Sequence, residues 1–186
     1  MMIGIIGRMR SGKTLFQSIL ADYLIKQTGL TLHANYALAG AKQVLTTRDI
    51  WGLNDCIFCF DEIWMTMDSR FWKDNASLTY WIMQTRKRGV LVFYTAQHRS
   101  EIEKRVRLAT DIFIFCQLTE VAGQKAHKYT FLEPDLMNED VFSVGRTYIL
   151  EQPERFYGLY NSFKLMWPIE YVMMTNKEIK EISEKN

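Results

Sequence analysis

The 186-residue chain is long enough to bury a substantial core as one domain, and its 48% hydrophobic and 24% charged fractions suit a soluble globular protein. A formal net charge of +2 is too small by itself to imply a polyanion partner, so that case must rest on local clustering. The three cysteines form no disulfide framework and point to the cytosol, the cell's own or a host's.

Met2–Ile6 is a short apolar run ending at a glycine, and reads as a buried strand. It is too short for a signal sequence, and no stretch reaches the ~18 apolar residues of a membrane span. Lys13–Gln27 carries Leu15, Phe16, Ile19, Leu20, Tyr23 and Leu24 at helical spacing, with Gly29 as its stop. Thr31–Leu38 reads as a second strand and Cys56–Phe60 as a third, closed by Asp61-Glu62. Cys56 and Cys59 have CxxC spacing, but three residues apart on a strand they face opposite ways, so they read as buried small hydrophobes. Leu78–Arg86 is a helix ending in Arg86-Lys87-Arg88 before Gly89, and Val90–Thr95 is a strongly apolar fourth strand. Ser100–Leu108 reads as a short helix and Asp111–Gln117 as a fifth strand. Lys128–Leu132 and Ser143–Leu150 read as extra strands with no clear helix between them. Residues 1–175 are expected to form one domain, with a loosely held tail over 176–186. Alternation of strands and helices through residue 117 indicates an α/β fold with a mostly parallel central sheet. The tryptophans (Trp51, Trp64, Trp72, Trp81, Trp167) mostly sit at core-like spacing.

Three segments carry chemistry. Gly7-Arg8-Met9-Arg10-Ser11-Gly12-Lys13-Thr14 matches GxxxxGK[ST] at every fixed position, between an apolar strand and a helix. Such a loop aims backbone N–H groups at phosphates, and the helix N-terminus adds partial positive charge. Lys13 then reaches the β- and γ-phosphates and the Thr14 hydroxyl binds Mg²⁺. Asp61 ends an apolar strand, the place where P-loop enzymes hold Mg²⁺, and the adjacent Glu62 can polarise an attacking water. A carboxylate pair there points to water as acceptor, where Asp alone would suit a kinase or GTPase. Gln97, with Thr95 as the lesser candidate, ends a strand that would neighbour the loop and can touch the γ-phosphate or the lytic water.

Taken in order, Gly7–Thr14, the strand with Asp61-Glu62, the Arg-Lys-Arg-Gly run at 86–89 and the strand ending Thr95-Ala96-Gln97 resemble the HerA/FtsK superfamily of P-loop ATPases. Within it the likeness is greatest to the small genome-packaging ATPases of archaeal and other membrane-containing icosahedral viruses. The stretch 97–107 is also similar to the Zot-like assembly ATPases of filamentous phages. The resemblance covers about residues 2–117. It implies a RecA-like three-layer P-loop fold with added C-terminal strands, ATP and Mg²⁺ as cofactors, and homo-oligomeric rings, often hexamers. It further implies translocation of double-stranded DNA through the ring, with viral capsid or membrane proteins as further partners, in the host cytoplasm or on the virion. Members complete each site with an arginine from the neighbouring subunit, which selects Arg86 or Arg88 here, with Arg105 and Arg107 as outside candidates. Zot-like proteins carry a transmembrane segment, which is not found in this sequence, so a membrane-tethered role is not expected.

From Arg86 to Arg107, seven Lys/Arg face two acids, Glu101 and Glu103, a local excess of +5. That clustering fits a phosphate-facing surface with salt-sensitive, sequence-independent binding. The reading is a DNA-translocating ATPase, a viral packaging motor. Two alternatives stand beside it: a small-molecule P-loop kinase, which leaves Glu62 unexplained, and a nucleotide-dependent assembly or switch protein that turns over slowly.

Overall fold

The computed structural model describes residues 1–67, 76–135, 138, 141–161, 164, 166 and 168–184. Trp72 and Trp167 lie outside the described residues. Eight strands form one sheet in the order β3-β2-β4-β5-β1-β6-β7-β8. They are β1 (Met2–Ile6), β2 (Thr31–Ala34), β3 (Lys42–Gln43), β4 (Cys56–Phe60), β5 (Leu91–Ala96), β6 (Ile112–Val121), β7 (Gln124–Pro134) and β8 (Phe142–Leu150). The six strands β1–β6 run parallel, and β7 and β8 add an antiparallel extension. The sheet is thus α/β and mostly parallel, as its alternating sequence pattern predicts.

The helices are α1 (Lys13–Thr28), α2 (Thr47–Trp51), α3 (Ala76–Gln84), α4 (Lys104–Ala109) and α5 (Asn176–Glu184). Parallel strands covered on both faces should be apolar throughout, and all five residues of β4 are buried. Alternate residues serve two separate cores. Cys56, Phe58 and Phe60 pack with Trp51, Trp81 and Val106 on one face, while Ile57 and Cys59 pack with Leu32, Phe16 and Tyr129 on the other. The CxxC cysteines therefore lie on opposite sides of the sheet as free, buried thiols. Burial pushes the Cys56 thiol up to about 11 and raises Cys59 as well, so neither is a thiolate at neutral pH.

Four segments differ from the sequence pattern, each for a local reason. β2 stops at Ala34 because Asn35 turns its side chain onto the end of β4, donating from Nδ2 to the Asp61 carbonyl and accepting from the Asp61 N–H. The expected helix 100–108 divides into a 3-10 turn at Arg99–Glu101 and α4. Glu103 lies extended between them and caps α4, accepting from the Arg105 and Val106 N–H groups. α2, unmarked by periodicity, is opened by a capping box between Thr46 and Asp49. Asn176, where the sequence pattern suggests a loose tail, opens α5, whose Ile179 and Ile182 are three apart and pack onto the core beside α2–α4. Gly29 ends α1 as expected, in the left-handed conformation that frees its N–H for the Ile25 carbonyl.

Candidate active site

The loop Gly7–Thr14 leaves the carboxyl end of β1, which lies between β5 and β6. Gly7 donates its N–H to the Ala96 carbonyl at the end of β5, which ties the loop to the sheet. Arg8, Met9 and Arg10 are exposed, whereas Ser11 and Lys13 are buried. Gly12 adopts φ 89°, a left-handed conformation that suits a glycine, and turns the chain into α1. The first turn of α1 holds no acidic residue of its own, so its positive end is left to groups outside the helix.

Strand β7 supports this loop from the side. His127 Nδ1 donates to the Ser11 carbonyl at 3.0 Å, and the Tyr129 hydroxyl donates to the Gly12 carbonyl at 3.4 Å. Both residues are buried and, two apart, share one face of the strand. Tyr129 also stacks on Phe16 of α1 with ring centroids 4.0 Å apart. Burial lowers the His127 pKa, favouring the neutral ring that donates from Nδ1.

The acidic pair sits at the end of β4. Asp61 is 8% exposed and is held from all sides. Its carboxylate accepts from the Thr95 hydroxyl at 2.6 Å and from the Thr14 hydroxyl at 3.0 and 3.1 Å. Burial raises its pKa to about 6; the hydrogen bonds from Thr95 and Thr14 and the charge of Lys13 oppose that shift, and Glu62 adds to it. A buried carboxylate short of positive charge, beside a hydroxyl, is a donor set that suits Mg²⁺. Mg²⁺ needs one or two such ligands and takes the rest from phosphate and water. Among the described residues there is no group of three or more His, Cys, Asp or Glu that could hold a metal by itself.

Glu62 has a left-handed backbone, φ 48° and ψ 57°, a conformation uncommon for a residue other than glycine. The Thr95 hydroxyl accepts its N–H at 2.7 Å. Its carboxylate is held between Lys13 Nζ, 3.7 Å from Oε1, and the Trp64 indole N–H, which donates to Oε2 at 2.5 Å. Lys13 also donates to the Arg8 carbonyl at 3.3 Å. Lys13, Thr14, Asp61, Glu62 and Gln97 all line one cavity of about 450 Å³. The structure therefore brings together the loop, both carboxylates and the strand-end glutamine.

Arg86 and Arg88 lie elsewhere. They precede β5, at the opposite end of the parallel strands from the loop. Arg86 is exposed and pairs with Asp111, just before β6. Arg88 donates to the Trp51 carbonyl at 2.9 Å and to Asn54 Oδ1 at 3.2 Å. Other members of the basic run are also engaged: Arg105 pairs with Glu103, and Arg99 stacks over Phe113 and Phe142. Sequence reasoning missed Asn35, Trp64, His127 and Tyr129, and ranked Thr95 below Gln97. Only Trp64, two residues from Glu62, stands near enough in the chain for spacing to suggest it.

No family model matches the chain, and no curated protein matches it. Among solved structures, the N-terminal domain of zonular occludens toxin from Neisseria meningitidis superposes with a TM-score of 0.64 at 15% identity, covering 86% of this chain and 98% of that one. The genome-packaging NTPase B204 of Sulfolobus turreted icosahedral virus 2, in complex with ATP-gammaS, superposes at 0.54 and 11% identity over 78% and 96%. The ATPase domain of G40P gives 0.55 and 12% over 88% and 84%. This chain has the P-loop NTPase fold, a mostly parallel sheet with an antiparallel C-terminal extension, shared with these packaging and Zot proteins.

Proposed function

We propose that the protein binds ATP with Mg²⁺ and hydrolyses it, and that it uses the reaction as a ring-forming motor on double-stranded DNA, in a viral packaging role. The observation that carries hydrolysis is the convergence of Thr14, Asp61, Glu62, Lys13 and Gln97 on one cavity at the loop, with Thr95 holding Asp61 and Glu62 from behind. Backbone N–H groups of Ser11–Thr14 and the α1 terminus bind the phosphates, and Lys13 exchanges its contact with Glu62 for phosphate oxygens. Mg²⁺, held by Thr14 and Asp61, would supply charge neutralisation on the phosphates. Glu62, released from Lys13, accepts a proton from water, and Gln97 orients that water.

Support for a DNA motor is coarser. The fold is that of a packaging NTPase and of the G40P ATPase domain, and Lys87 and Lys104 are exposed on the basic segment. Arg86, at the surface, is proposed to act on a neighbouring subunit's site, with Arg88 as the alternative. Among the described residues no helix is long and apolar enough to cross a membrane, and the cytoplasm is the proposed setting. The test is the ATPase rate with and without double-stranded DNA, alongside mass in solution. Stimulation by DNA and a ring-sized mass are expected; a DNA-indifferent monomer would remove the motor.

A second reading is a nucleotide-dependent assembly or switch protein. It is favoured by the hold of Lys13 and Trp64 on Glu62, which keeps the base occupied at rest, and by the higher similarity to the zonular occludens toxin domain. It predicts tight ATP binding with slow turnover that DNA does not change.

A further inference from the structure

A second cavity, about 1040 Å³, opens beside the first. The two share Arg10, Gly12, Leu15, Tyr160, Asn161 and Lys164, so they form one continuous cleft that starts at the phosphate loop. The first cavity holds the carboxylates and Lys13, with Tyr36, Tyr160 and Met166 as apolar lining. Among the described residues the second has no carboxylate: Leu38, Leu118, Pro153 and Tyr157 give it apolar walls, and Arg10, Gln43, Lys125, His127 and Lys164 are its polar lining.

Its outer wall is the 3-10 helix Pro153–Leu159, which nothing in the phosphate chemistry requires. That wall is fixed in place. Ala39 donates its N–H to the Leu159 carbonyl and Asn161 donates its N–H to the Ala37 carbonyl, closing an antiparallel bridge between Leu38 and Tyr160. Pro153 is buried at its start, and Tyr160 stands edge-on to Tyr36 at 6.4 Å between ring centroids. Tyr157 remains 54% exposed, a large aromatic surface left facing the cleft.

We propose that this second cavity is the nucleoside subsite, taking the base and ribose of a purine nucleoside triphosphate, with Tyr157 as the stacking surface for the base. The inference rests on the phosphate-loop reading above and extends it to the rest of the ligand. An apolar, concave site with a few polar groups at its rim is the usual form of a small-molecule pocket, and the volume is at the upper end of the ~300–1,000 Å³ range. The wall also predicts selectivity. Base–aromatic stacking is tolerant of base identity because every base has a π-face. The Gln43 amide is committed through Nε2 to the Tyr36 carbonyl, so stacking rather than base-edge readout sets the preference. Adenine and guanine should therefore bind alike, and pyrimidines, with less area to stack, more weakly.

The test is equilibrium binding of ATP, GTP, CTP and inorganic tripolyphosphate, each with Mg²⁺, to the wild-type protein and to Tyr157→Ala and Tyr157→Phe. Stacking of one base, worth about 1–3 kcal/mol, predicts that Tyr157→Ala weakens ATP and GTP by about 5- to 150-fold. Tripolyphosphate should change by less than about twofold, and Tyr157→Phe should bind all four as wild type does. Wild-type affinities for ATP and GTP should agree within about threefold and exceed that for CTP. If Tyr157→Ala leaves ATP unchanged, or weakens tripolyphosphate equally, the subsite is elsewhere although the loop still binds phosphate. If the wild-type protein binds neither ATP nor tripolyphosphate, the phosphate-loop reading falls and this inference with it.

Discussion

Replacing Gly12 with alanine tests the support that β7 gives the phosphate loop. A Cβ on Gly12 would lie 2.7 Å from His127 Nδ1 and 2.8 Å from the Tyr129 hydroxyl, on a backbone at φ 89°. The left-handed conformation alone costs an alanine about 1–2 kcal/mol. Forcing a methyl against two anchored rings adds about 1–3 kcal/mol, as for other overpacked sites. Gly12→Ala should therefore lose about 2–5 kcal/mol of stability, and the shifted loop should weaken ATP. His127→Ala alone leaves the Ser11 carbonyl without its partner, which costs about 1–3 kcal/mol. Combined, the two changes should be less damaging than their sum, because the small side chain makes room for the new methyl. Urea unfolding of the four proteins, in a double-mutant cycle, should give a coupling of about 1 kcal/mol or more in that direction. Additivity within about 0.3 kcal/mol would show that His127 does not press on the loop, and would refute the reasoning.

Lys13→Ala should abolish hydrolysis and weaken ATP by about 10- to 100-fold, the worth of a charge-assisted hydrogen bond; unchanged turnover would remove the P-loop reading. Glu62→Gln should retain ATP binding while turnover falls about 10²-fold or more, as expected for loss of a general base, in single-turnover assays. Asp61, with a pKa raised to about 6, makes the folded protein bind more protons than the unfolded chain as pH rises through about 4 to 6. Metal-free stability should therefore fall across that window and stay reduced above it. Asp61→Asn should raise the Tm of metal-free protein at pH 7.5 and abolish the Mg²⁺-dependent gain in ATP affinity. If Arg86 or Arg88 acts between subunits, specific activity should rise with protein concentration, and Arg86→Ala or Arg88→Ala subunits mixed with Glu62→Gln subunits should regain activity. Concentration-independent activity with no rescue on mixing would exclude that role.

What was legible in the sequence was whatever is local in the chain. The phosphate loop occupies eight consecutive residues, and β4 is a continuous apolar run whose cysteines, three apart, had to face opposite layers. The partners of those segments were not legible. His127 lies 116 residues from the Ser11 carbonyl it holds, and Asn35 lies 26 from Asp61. Neither is marked by periodicity or by a neighbouring motif, because each reaches its partner only once the sheet order has been fixed. The basic segment was misleading in another way: Arg86, Arg88, Arg99 and Arg105 are counted as charge in the sequence, yet each is engaged within this chain by a carboxylate, a carbonyl or aromatic rings. Charge density along a chain does not say which charges reach solvent uncompensated.

The dependence of the loop on β7 has a consequence for synthesis. During translation β1 and its glycine loop are made before the strands they meet: β1 pairs with β5 and β6, and its loop meets His127 and Tyr129 later still. A nascent chain released only through residue 100 contains the phosphate motif with Asp61, Glu62 and Thr95, but lacks His127 and Tyr129. Such a chain should bind nucleotide weakly, and ATP should act as a chaperone-like ligand only once β7 has left the ribosome, drawing that strand onto the loop.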